Sequence, residues 1–234
     1  MTNALRLVCV VLVAAACSRS PYTGRMRAMG VDENEAMELA DRAAEQYRRR
    51  IKPVTDPAVT ERANRVATRL IAAAKSGPAG ERAARLPWEV VVAEGVDTDV
   101  AVLENGKIFV GAALLRVART DAELAGPMGN AVAQVILRHP SERAKPRIIP
   151  QMLTMTETSE REGPSPLEAE QEDEADYVGL LLAAEAGYDP DQVLPIYDRL
   201  GEQARADRLR KRLPELRDTL LRAKNDATPG GSVQ

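Results

Sequence analysis

Helix-opening signals recur along this chain so densely that they leave room for little besides helices and short connections. Asp32 with Glu35 and Thr120 with Glu123 read as capping boxes, in which a short polar side chain accepts from the backbone N–H three residues on while the glutamate reaches back. Ser165-Pro166-Leu167-Glu168 adds proline at the first helical position, where its missing N–H is one of the donors the first turn leaves unpaired anyway. Asp56-Pro57 and Asp189-Pro190 use the same device. Helices are therefore expected from about Glu33 to Arg50, from Asp56-Pro57 onward with Val59, Ala63, Val66 and Leu70 along one face, and from Thr120 to His139 with a stop at Pro140. Another runs from Ser165 to Gly187, and Asp189-Pro190 opens a further one. A last stretch, about Arg205 to Lys224, carries Leu209, Leu213, Leu216 and Leu220 on one stripe. Pro127 is out of place inside its helix: a proline there removes one hydrogen bond and costs roughly 3 kcal/mol unless a kink absorbs it. A bend is expected just before Asn130.

Strand signals cluster in one region. Trp88 to Ala93, with Val90, Val91 and Val92, reads as a mostly buried strand. Asp99 to Leu103 and Lys107 to Val110 flank Asn105-Gly106, a hairpin signal because both residues tolerate positive φ. The fold class is thus α+β, mainly helical, with a small antiparallel sheet packed on helices. Ser76 to Arg85, with Gly77, Pro78 and Gly80, reads as a loop, and Pro140 to Pro164 as a long mobile connection.

The 234 residues, 44% hydrophobic and 29% charged, suit one domain with a real core. A formal charge of −3 with acids and bases interspersed offers no field for nucleic acid, which is excluded as a partner. Residues 1–16 read as a signal peptide of lipoprotein type: Arg6 is a minimal basic start, and Leu7 to Ala16 is an apolar run too short to span a bilayer. Ala14-Ala15-Ala16-Cys17 looks like a lipobox, making Cys17 the lipidated residue and the membrane a partner through that lipid, with ordinary cleavage at the same alanines as the alternative. Loss of Arg6 with the leader shifts the formal charge to −4 and leaves one cysteine, so no intramolecular disulfide can form. Residues 17–30 are then a tether, 31–224 a single domain and 225–234 a disordered polar tail.

Several segments together resemble one family. Thr98-Asp99-Val100-Ala101-Val102-Leu103-Glu104-Asn105-Gly106-Lys107-Ile108-Phe109-Val110, Leu114-Leu115 and Asp121-Ala122-Glu123-Leu124-Ala125-Gly126 follow a pattern that leads elsewhere into His-Glu-x-x-His. Glu172-Asp173-Glu174-Ala175-Asp176-Tyr177-Val178-Gly179 and Ala186-Gly187-Tyr188-Asp189-Pro190 match a downstream segment, and Ser20-Pro21-Tyr22-Thr23-Gly24-Arg25 matches an opening one. The chain resembles the zinc metallopeptidase family of the CAAX prenyl protease, HtpX, BepA and LoiP (peptidase family M forty-eight). That resemblance implies a zincin-like (minigluzincin) fold, puts Asn130, Gln134 and Glu172 at the family's zinc-ligand positions, Asp176 at the position that supports a ligand and Ala131 at the general-base position, and makes Asp99, Val100, Ala101 and Val102 an edge strand to which substrate adds.

The centre of that pattern is missing here. A zinc helix needs two imidazoles four residues apart with a glutamate between them to activate water. Asn130-Ala131-Val132-Ala133-Gln134 keeps the spacing without the chemistry. If Glu172 alone kept a quarter of a structural zinc site's energy, roughly 3–4 kcal/mol, the dissociation constant would be on the order of millimolar. No catalytic residue, no metal ligand and no cofactor are expected, and zinc enters only if the chain is an active metalloendopeptidase with atypical ligands. His139, the lone histidine, falls about 180° around the helix from Asn130 and reads as a last-turn residue near the helix carbonyls. Glu172 and Asp176 read as carboxylates on a solvated helix face paired with Arg or Lys, a weak hard-cation site being the alternative. The basic run Arg205, Arg208, Arg210, Lys211 and Arg212, with acids interleaved, reads as another solvated face rather than a lipid-binding one. The expected function is that of a catalytically inactive envelope lipoprotein, on the periplasmic face of the bacterial outer membrane, that binds polypeptide or an envelope partner; a structural adaptor is a further alternative.

Overall fold

A computed structural model of the chain describes residues 17–29, 31–96, 99–143 and 165–227. The signal peptide, most of the connection after Pro140 and the tail beyond 227 lie outside the described residues. Among the described residues no helix is long and apolar enough to cross a membrane.

The chain begins with an antiparallel pair, β1 (Cys17–Arg19) and β2 (Met26–Ala28). Then come α1 (Glu33–Arg48), β3 (Lys52–Pro53), α2 (Pro57–Ser76), α3 (Gly80–Arg85), β4 (Glu89–Glu94), β5 (Val100–Val102) and β6 (Lys107–Gly111). Helices complete it: α4 (Ala112–Val117), α5 (Asp121–Ile136), α6 (His139–Arg143), α7 (Pro166–Glu185), α8 (Pro190–Val193), α9 (Pro195–Arg199) and α10 (Gln203–Ala227). The helix starts fall at the expected caps: Asp32, Asp56, Thr120, Ser165 and Asp189 each accept a first-turn backbone N–H. Ser165 and Glu168 complete a reciprocal capping box. At Thr120 the reciprocal arm differs, because Glu123 accepts the N–H of Arg119 at 2.6 Å and pairs with Arg199.

The larger sheet has the order β3-β4-β6-β5. The Asn105-Gly106 hairpin is antiparallel, with only Gly106 at positive φ (80°). The expectation of an antiparallel sheet is corrected by β4, which pairs with β6 in parallel, so the sheet is mixed. The chain leaves β4, places β5 two positions away, and the hairpin brings β6 back into the gap between them. Two reversals restore the original direction. Alternation then sends Val90, Val92, Ile108, Val110, Val100 and Val102 into the main helical core. Ala93 and Phe109 face the other way, onto Ala44 of α1, with the Tyr47 and Phe109 rings 4.7 Å apart.

Two further expectations need correction. The segment 76–85 is not all loop: α3 occupies its second half, and Arg82 ties it down through Glu33 and Glu104, each at 2.6 Å, and the carbonyl of Val135 at 3.2 Å. The helix from Thr120 does not reach His139. It ends at Ile136, Arg138 takes φ 62°, and His139 opens the short α6. Pro140 cannot donate to the carbonyl four residues back, so the chain breaks at Arg138 and restarts with the proline in a first turn. Through Pro127 itself α5 is helical without interruption.

Nearly every residue of α5 is buried, because the helix runs through the middle of the molecule with α7 packed along it. The two approach closely at Gly129 and Gly179: a Cβ on Gly129 would sit 2.6 Å from the Gly179 carbonyl oxygen, and one on Gly179 would overlap the backbone nitrogen of Asn130. Small residues there set the distance between the two helices that carry the candidate site.

Candidate functional site

Asn130 and Gln134, one turn apart on α5, point toward Glu172 and Asp176, one turn apart on α7. Asn130 Nδ2 donates to Asp176 Oδ1 at 2.8 Å and to Glu172 Oε1 at 3.2 Å, and Gln134 Nε2 donates to Asn130 Oδ1 at 2.7 Å. The four family-pattern positions are therefore one cluster. Ala131, at the expected base position, is a buried methyl in the core.

The group that organises the cluster comes from α10. Arg205 Nε reaches both carboxylate oxygens of Asp176 at 2.8 and 3.0 Å, its Nη2 bonds Asp176 Oδ1 and lies 2.8 Å from Glu172 Oε1, and its Nη1 bonds Glu202 at 3.0 Å. Its guanidinium also sits 4.6 Å from the centre of the Tyr197 ring. Burial opposes the charge of Arg205, but Asp176 and Glu172 outweigh it and raise its pKa. Burial likewise pushes the Asp176 carboxyl up to about 6, against the lowering pull of Arg205.

Two sequence expectations change here. Asp176 is not on a solvated face: it is 4% exposed, enclosed between α5, α7 and α10. Arg205 is not a solvated base either, with a side chain 18% exposed. Its neighbours behave differently, Arg208 and Arg210 being half-exposed and paired with Asp173, Asp198 and Asp207. The signal that separates Arg205 from them is its spacing, since it precedes Leu209 by four residues and so shares the leucine stripe.

His139 also departs from its expected place. It is fully buried and its Nε2 lies 3.0 Å from Glu174 Oε2, on the side of α7 away from Asn130's partners. Burial opposes ionisation of Glu174, but hydrogen bonds from His139, Thr23 and Arg25 outweigh it and hold the carboxyl well below the usual range. Arg25 bridges Glu174 and Glu142, both at 2.7 Å, which docks the β1–β2 segment onto α6 and α7.

A groove of about 800 Å³ opens over the cluster. Its lining includes Asn130, Gln134, Glu172 and Arg205 together with Asp99, Val100, Ala101 and Val102. All four edge-strand candidates are thus beside the family-pattern positions, three of them in β5 and Asp99 just before it. Glu202, which the sequence reading did not single out, lines the same groove.

No family model matches the chain. Among curated proteins, it is 33% identical over 131 residues to the mitochondrial metalloendopeptidase OMA1 of Arabidopsis thaliana, covering 50% of this chain and 26% of that protein. To the protein of the same name in Schizosaccharomyces pombe it is 27% identical over 128 residues, 49% of this chain and 38% of the other. To the beta-barrel assembly-enhancing protease of Escherichia coli it is 22% identical over 208 residues, 79% of this chain and 41% of the other. The chain spans between about a quarter and two fifths of the length of these relatives. It is a distant relative of metallopeptidases, and its resemblance to that family rests on sequence as well as on the motifs gathered around the groove.

Proposed function

We propose that this chain is a metallopeptidase-like protein without peptidase activity, which binds extended polypeptide in the groove beside β5. The observation that carries this reading is the Arg205 guanidinium bonded to Glu172 and Asp176, on the carboxylate oxygens a metal would need. The donor set does not fit zinc. Two neutral amides replace the imidazoles, the remaining carboxylate is already engaged by a cation, and one amide spends its oxygen on the other. Ala131 can neither take a proton from water nor orient it. What remains is a groove with a strand on its rim, and such an edge adds a further strand through backbone hydrogen bonds.

We place the protein in the bacterial cell envelope, anchored by lipid at Cys17 on the periplasmic face of the outer membrane, on the strength of the leader and its alanine-cysteine junction. The similarity to a protease named for β-barrel assembly agrees with an envelope role. The test pairs metal analysis of the purified protein with an unfolded-protein cleavage assay. Substoichiometric zinc, no chelator-sensitive cleavage, and capture of an unfolded polypeptide by photo-crosslinkers at Val100 and Val102 are expected. Stoichiometric zinc with chelator-sensitive cleavage would instead establish a metalloendopeptidase with atypical ligands.

A further inference from the structure

Resting on that polypeptide-binding reading, we propose that β5 accepts an extended segment whose lysine or arginine side chain is held between Asp99 and Glu202. The backbone supplies the first half of the argument. β5 is the outer strand of its sheet, and Gly111 N–H donates to Asp99 C=O at 2.8 Å while Leu103 N–H donates to Lys107 C=O at 3.0 Å. With a ladder that alternates every second residue, Asp99, Ala101 and Leu103 face β6, and the N–H and C=O groups of Val100 and Val102 point outward along the groove. Their side chains are packed against the core, so the strand is held in place for an incoming chain.

Charge identifies what that chain carries. Glu94, Asp99, Glu172 and Glu202 line the groove against Arg143 and Arg205, an acidic balance. Arg205 is already shared by Glu172, Asp176 and Glu202, and Glu94 is paired with Arg116 at 2.8 Å. The Asp99 carboxylate accepts no hydrogen bond and makes no ion pair among the described residues, although it is partly buried. Burial first, and the charge of Glu202 second, raise its pKa against the lowering pull of Arg205, which makes no ion pair with it and is bonded instead to Glu172, Asp176 and Glu202. A guanidinium from the chain itself is held by the carboxylates next door, so a second cation brought by a bound segment meets suitable acceptors. An acidic side chain in the same place is repelled.

Fluorescence anisotropy with the full-length protein tests this, using labelled peptides of about ten residues, alternating Val and Thr, that differ only in a central Lys, Gln or Glu. The Lys peptide is expected to bind about tenfold more tightly than the Gln peptide, with the Glu peptide weakest, and to lose most of that advantage between about 50 and 300 mM salt. Asp99→Asn should erase the advantage of the Lys peptide over the Gln peptide, and Val100→Pro should weaken all three, with circular dichroism confirming that both variants fold. Equal binding of the three peptides, still sensitive to Val100→Pro, overturns the charge selection and leaves groove binding intact. A Lys advantage that survives Asp99→Asn also overturns it. Failure of every peptide to bind overturns both readings.

Discussion

Arg205 decides more about this molecule than any other single side chain. Buried ion pairs gain little over well-packed apolar residues, but removing one partner leaves the others charged and desolvated, at roughly 3–5 kcal/mol. Arg205→Ala strands the buried Asp176 and is expected to lower unfolding free energy by about 3 kcal/mol, read by urea denaturation. Arg205→Lys should recover only part of it, because an ammonium cannot bond both oxygens of Asp176 in a planar fork. Asp176 also carries a pH signature. Its folded pKa is raised from 3.8 to about 6, so its contribution favours the fold below about 3.8 and is lost as pH rises through 6. Asp176→Asn removes that term, and the melting temperature of the variant relative to the parent should rise between pH 4 and pH 7. A constant difference across that range would mean that Arg205 compensates Asp176 fully.

The helices α5 and α7 form the scaffold of the site, and their contact is set by absence of side chains. Gly179→Ala places a methyl against the backbone of Asn130, which cannot step aside as a flexible side chain does. The variant is expected to lose about 2–3 kcal/mol and to shift the amide resonance of Asn130; an unchanged spectrum would show that the helices separate freely. At the start of α7, Ser165→Ala should cost about 1 kcal/mol by removing a cap whose two hydrogen bonds are both made. The caps were legible because each is satisfied within three residues, and so was the hairpin, whose turn is local. The parallel pairing of β4 with β6 was not, since a strand's partner depends on where later strands are inserted. The break at Arg138 was half legible: Pro140 marked a stop, but whether the chain bends before or after His139 depends on the burial of that histidine against Glu174.

At the scale of the whole molecule, helices distant in sequence converge on one groove. The β1–β2 segment is joined to the rest through Arg25, Thr23 and Arg27, the last donating to the carbonyl of Leu137 at 2.7 Å. Glu174, held well below its usual range, keeps this junction charged, so its contribution is present above about 4.5 and is lost only well below pH 4. Protection of the segment from proteolysis is accordingly expected to persist at pH 4.5 and to disappear in Glu174→Gln.

From sequence alone followed the capped helices and the hairpin, because local hydrogen bonding and helical spacing determine them, while the positions Asn130, Gln134, Glu172 and Asp176 came from the resemblance to a metallopeptidase pattern. The tertiary structure decided what surrounds those positions. Asp176 and Arg205 are 29 residues apart in the chain, and only the packing of α10 across α5 and α7 brings a guanidinium to those carboxylates, since a buried acid must find its counter-charge wherever the fold supplies one. The same packing brings Asp99 and Glu202 to the lining of one groove, a convergence of two segments that no local pattern encodes.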